Sequence, residues 1–128
     1  MAALTESLTF DLIQARVVAW ARTQPAIRGA VVVGSRAHST PATDEWSDLD
    51  LILFSTEPDA YAADGSWLAR FGPVWLTQLE HTGRGEPEWY ALYAGGLKAD
   101  FVLHTIGPAV DCRIALSERI SPRRAGDL

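Results

Sequence analysis

The sequence predicts an α+β (α/β) domain with a mixed, mostly β core of about five strands covered by helices. Three observations carry that reading: an amphipathic helical pattern near the start, β-branched or alternating runs recurring along the chain, and enough apolar residues for a core. Of the 128 residues, 48% are hydrophobic and 21% charged. That size and balance suit one compact domain, here residues 1–128.

The elements follow in order. From Leu8 to Arg22, apolar residues Leu8, Leu12, Ile13, Ala15, Ala19 and Trp20 recur at helical spacing after Thr5, Ser7 and Thr9, each able to cap. That helix ends before Pro25. Ile27–Val33 is a β-branched run closed by Gly34 and Ser35, a buried strand entering a tight turn and a short helix, Ser35–Ala37. Ser39–Ser47 is a polar loop. Asp48–Phe54 alternates carboxylate and apolar residues and then becomes wholly apolar, as a strand does when one end meets solvent. Glu57–Phe71 reads as a helix interrupted at Asp64-Gly65-Ser66, whose Asp or Ser can cap a second short helix from Trp67. Val74–Glu80, Trp89–Tyr93 and Leu97–Thr105 are further strands, the last two joined by Gly95-Gly96, a hairpin signal. Pro108–Glu118 has the pattern of a closing helix, and the residues from Ser121 read as a frayed end or a linker.

Composition excludes several classes. No segment approaches the apolar run of a membrane span, and the first ten residues lack the basic start and apolar stretch of a signal peptide, so a cytoplasmic location is expected. The single cysteine, Cys112, has no thiol partner for a disulfide or a zinc cluster. A net charge of −5 argues against a broad nucleic-acid surface, which depends on clustered Lys and Arg. There is no GxxxxGK[ST] loop, no GxSxG elbow, and no metal-ligand spacing among the three histidines.

The informative unit is Val33-Gly34-Ser35, twelve further residues (36–47), then Asp48-Leu49-Asp50-Leu51. Residues two apart on a strand share a face, so Asp48 and Asp50 present paired carboxylates while Leu49 and Leu51 face the core. Like charges so close need a cation between them. Mg²⁺ fits: it prefers oxygen ligands, takes one or two carboxylates, and completes its shell with water and phosphate. Gly34 allows close approach of backbone to phosphate, the Ser35 hydroxyl and the amides of the following turn can donate to phosphate oxygens, and Arg36 can add a charge-assisted contact. Asp100, set before its own apolar run, is a third acid able to converge on the same place.

The hG[GS] turn, the gap, the DxD pair and the later strand Asp together resemble the nucleotidyltransferase superfamily. Gly34-Ser35-Arg36-Ala37, Trp46-Ser47-Asp48-Leu49-Asp50, and Asp64-Gly65-Ser66-Trp67-Leu68 with Phe71-Gly72 are similar to the aminoglycoside 6-adenylyltransferases, over residues 27–105. The resemblance implies the nucleotidyltransferase fold and transfer of AMP from ATP to a hydroxyl of an aminoglycoside such as streptomycin. Asp48 and Asp50 would ligate two Mg²⁺ ions, Asp100 would be a further ligand or general base, and Gly34, Ser35 and Arg36 would hold the triphosphate. Two departures stand out: His38 occupies the place of a usual Asn, and the chain stops near where the family's C-terminal helical acceptor-binding domain would begin. A homodimer could supply that wall. The alternatives are an antitoxin-type adenylyltransferase acting on a partner protein, and a nucleotide-binding domain without turnover.

Other residues have blander readings. For Asp100 the blander reading is a solvated strand-end acid or a partner for Lys98, and its position on the strand favours the catalytic role. His104 shares the Asp100 side by alternation, but a lone strand histidine is usually packed or hydrogen-bonded. His38 can contact phosphate or simply be exposed. Glu80, Glu86 and Glu88 suit a polycationic acceptor, with Glu88 as an alternative base, yet acids around a polar loop are commonly just solvated. The five tryptophans are expected mainly in or beside the core, with Trp46 the one placed to stack on a nucleotide.

Overall fold

The computed structural model describes residues 7–33 and 48–107. Helix α1 (Phe10–Ala21) leads into strand β1 (Ile27–Val33), β2 (Leu49–Ser55), helix α2 (Pro58–Ala63), a 3₁₀ helix (Ser66–Phe71), and strands β3 (Val74–His81), β4 (Pro87–Tyr93) and β5 (Leu97–Thr105). The strands form one mixed sheet in the order β1-β2-β5-β4-β3. Only the β2–β5 pairing is parallel among them; β1–β2, β5–β4 and β4–β3 are antiparallel. The last of the described strands therefore lies at the centre of the sheet. The expected turn at Gly34, Ser35 and Arg36, with His38 and Trp46, lies outside the described residues, as does the expected closing helix Pro108–Glu118.

Helix α1 begins where the sequence provides a cap: Thr9 Oγ1 accepts a hydrogen bond from the Leu12 amide at 3.1 Å. The face it buries is Phe10, Ile13, Val17, Trp20 and Ala21. This corrects the expected stripe, because Ala15 and Ala19 are exposed. Both sets have helical periodicity, and the one with the larger side chains removes more apolar area from water, at about 25 cal/mol per Å².

The Glu57–Phe71 segment breaks where expected. The Asp64 carboxylate accepts from the Ser66 amide at 3.0 Å, and the second piece is a tight 3₁₀ turn. That turn delivers Trp67, Leu68 and Phe71 to the core. Trp67 stacks on Trp20 with centroids 5.0 Å apart and meets Phe101 edge-on at 5.4 Å. The indole N–H groups of Trp67 and Trp89 both donate to the Tyr61 carbonyl, and the Tyr93 hydroxyl donates to the Leu68 carbonyl at 2.8 Å. Gly65 is required by proximity, since a Cβ there would meet the Trp89 ring at 2.8 Å.

Strand alternation sorts the central residues. Leu49, Leu51, Leu53 and Ser55 of β2, with Ala99, Phe101 and Leu103 of β5, are buried beneath the helices. Asp50, Ile52 and Phe54 face the other way, as do Lys98, Asp100, Val102 and His104. No described helix covers that second face, and none is long and apolar enough to cross a membrane. At the sheet edge, Trp75 is 62% exposed. It is the described tryptophan that departs from the expected core placement, because β3 extends past the helical cover.

Candidate active site

The strand register assembles two of the three acids. In the parallel β2–β5 pair, Asp50 lies directly opposite Asp100, one residue after Leu49 opposite Ala99. Neighbouring strands are about 4.8 Å apart, so both carboxylates leave the same face at short range. The row continues on both sides, with Val33 of β1 opposite Asp50, Tyr90 of β4 opposite Asp100, and Gln78 of β3 opposite Tyr90. The site thus sits at the end of β1 and the start of β2 and β5.

Electrostatics mark this pair out. Burial raises the Asp50 carboxyl above the usual carboxylate range; a hydrogen bond with Asp100 opposes the rise and the Asp48 charge adds to it. Asp100 is pushed up to about 7, first by burial and then by the charge and hydrogen bond of Asp50. Two carboxylates this close do not both ionise easily without a positive neighbour. Asp100 Oδ1 is also buried without a hydrogen-bond partner. A buried acceptor left unpaired costs about 1–3 kcal/mol unless a ligand satisfies it.

Asp48 precedes β2 by one residue, and its Oδ2 lies 3.6 Å from Lys98 Nζ. Lys98 in turn stands 5.2 Å from the centre of the Tyr90 ring. Among the described residues, no three His, Cys, Asp or Glu side chains are gathered as a metal cluster. What the fold does present is a carboxylate pair with a third acid beside it, engaged by an ammonium.

The remaining candidates fall around this centre. His104 packs edge-on against Phe54 and pairs through Nδ1 with the Glu86 carboxylate, in keeping with the packed, hydrogen-bonded reading. Glu80 and Glu88 are cross-strand partners on the open face. An open groove of about 510 Å³ runs over that face, lined by Leu76, Gln78, Glu80, Tyr90, Leu92 and Lys98. Sequence reasoning passed over Tyr90, this groove and the Lys98–Asp48 contact, having weighed Lys98 only as the alternative partner of Asp100. The available signal was spacing: Lys98 is two residues before Asp100, as Asp48 is before Asp50. It becomes readable only once β2 and β5 are known to lie side by side.

The sequence profile for streptomycin adenylyltransferase matches residues 9–113, a stretch that includes Gly34-Ser35-Arg36 and all three acids. The chain belongs to the streptomycin adenylyltransferase family. Another relative, an aminoglycoside 6-adenylyltransferase from Campylobacter jejuni, is 34% identical over 62 residues, or 48% of this chain and 22% of that protein. The crystal structure of an aminoglycoside 6-adenyltransferase from Bacillus subtilis superposes with a TM-score of 0.54 at 20% identity, over 73% of this chain and 35% of that one. At this identity the superposition speaks for the fold. This streptomycin adenylyltransferase-family chain spans about a fifth of the first relative and a third of the second.

Proposed function

We propose that this chain carries the metal- and triphosphate-binding half of an adenylyltransferase that transfers AMP from ATP to a hydroxyl of an aminoglycoside such as streptomycin. The observation that carries the reading is the Asp50–Asp100 pair, in direct parallel register, with one buried oxygen lacking a partner. The donor set fits Mg²⁺: hard carboxylate oxygens, a deficit of positive charge, and an open face on which phosphate and water can complete a shell.

Asp48, Asp50 and Asp100 would hold the metal, as two ions in the mechanism implied by the family resemblance. When bound, such ions neutralise charge on the triphosphate and align the α-phosphate for in-line attack. The chain's own groups do the rest. Gly34, Ser35 and Arg36 hold the phosphates. Asp100, beside the metal, takes the proton from the acceptor hydroxyl as general base. The hydroxyl oxygen bonds to the α-phosphorus as the bond to the bridging oxygen breaks, and pyrophosphate leaves. The groove beside Tyr90 and Lys98 gives the acceptor a place next to these acids, and Glu80 and Glu88 suit the cationic groups of an aminoglycoside.

Calorimetric titration of ATP with and without Mg²⁺, on the native chain and on Asp50→Asn, tests this reading. Metal-dependent binding by the native chain and its loss in Asp50→Asn, by about 100-fold or more, are expected for a removed metal ligand. Pyrophosphate release on adding streptomycin would identify the acceptor class. ATP binding indifferent to both Mg²⁺ and Asp50 would overturn the assignment.

A further inference from the structure

Lys98 stands where the acids meet the groove. Its ammonium is 3.6 Å from Asp48 Oδ2, lies over the Tyr90 ring, and shares the sheet face of Asp100, two residues further along β5. Tyr90 is itself the cross-strand partner of Asp100. Lys98 is therefore surrounded by the groups that the proposed chemistry uses. Its side chain is 46% exposed, and a lysine is a compact charge on a flexible four-carbon stem.

In the adenylyltransferase reading, a divalent cation held by the Asp50–Asp100 pair with Asp48 beside it competes for the Asp48 oxygen that Lys98 faces. Two cations drawn to one carboxylate repel each other, so a metal that loads on Asp48 weakens the Lys98 contact. An ammonium on so flexible a stem, released from Asp48, can reach a phosphate oxygen of a triphosphate held at the same acids.

Building on the adenylyltransferase reading, we propose that Lys98 is an internal counter-ion that holds Asp48 in the metal-free protein, yields it when metal loads, and moves onto the nucleoside triphosphate. Lys98 is then a competitor of bare metal and a partner of the metal–nucleotide complex. Removing it shifts the two affinities in opposite directions, which damage to the fold does not do.

The experiment measures binding of Mn²⁺ alone, by electron paramagnetic resonance, and of Mn²⁺–ATP, by calorimetry. It compares the native chain with Lys98→Gln and Lys98→Arg, checking folding by thermal melting. Lys98→Gln is expected to bind Mn²⁺ about fivefold more tightly and Mn²⁺–ATP about tenfold more weakly, with Lys98→Arg restoring nucleotide binding. Two affinities that move together, or neither moving while the native chain binds both probes, would overturn the role of Lys98 and leave the adenylyltransferase reading intact. A native chain that binds neither probe would sink both.

Discussion

The two faces of one sheet follow opposite rules. Beneath the helices, Leu49, Leu51, Leu53, Phe101 and Leu103 are buried against stacked aromatics, and polar groups such as the Tyr93 hydroxyl and the Trp67 indole have partners. On the open face the same two strands carry Asp50 and Asp100, with raised proton affinities and an unpaired oxygen. Adjacent residues of β2 and β5 thus stabilise the domain and strain it in turn. The packed core and the proposed site are separated by a single peptide unit, so substitutions one residue apart should act on different properties.

The largest expected effect lies on the covered face. Phe101→Ala leaves a cavity between Trp67 and Phe71 and should cost about 3–5 kcal/mol in denaturant unfolding. Its immediate neighbour should respond with the opposite sign. The native Asp100 holds its proton up to about pH 7, whereas an ordinary carboxyl releases it near 3.8. Between those values the folded state binds more protons than the unfolded one, so metal-free stability falls as pH rises. Asp100→Asn should therefore raise the melting temperature by several degrees above pH 7, an advantage that shrinks to nothing below about pH 4. A metal-free melting curve equally pH-dependent in both proteins would remove Asp100 as the source. The smallest effect separates a satisfied polar group from an apolar one. Tyr93→Phe deletes the hydroxyl that pairs with the Leu68 carbonyl, and should cost about 1–2 kcal/mol with no change in metal-dependent ATP binding.

Local signals were the legible ones. The Thr9 cap, the Asp64-Gly65-Ser66 interruption, the Gly95-Gly96 turn and the alternation around Asp50 are each contained within a few residues, and each is found in the structure. The acids were readable because period-two geometry decides which way a strand residue points. Position along a helix was less secure: Ala15 and Ala19 fit a 3.6-residue period, yet the face was chosen by Phe10, Val17 and Trp20, which have more area to bury. Nor could strand order be read locally. The Asp48–Lys98 contact joins residues fifty apart, and it exists only because β5 lies next to β2 and not beside β1 or at an edge.

That central insertion has a consequence for how the domain matures. β5 is the last strand of the described fold, yet it completes the middle of the sheet by separating β2 from β4. Until it docks, the parallel pairing spanning about forty residues of intervening chain is missing, and such long-range closure is among the slower events of folding. Asp100 arrives with the same strand. A nascent or partly folded chain therefore has no assembled Asp50–Asp100 pair, and the domain gains that pair in the same step that closes its core.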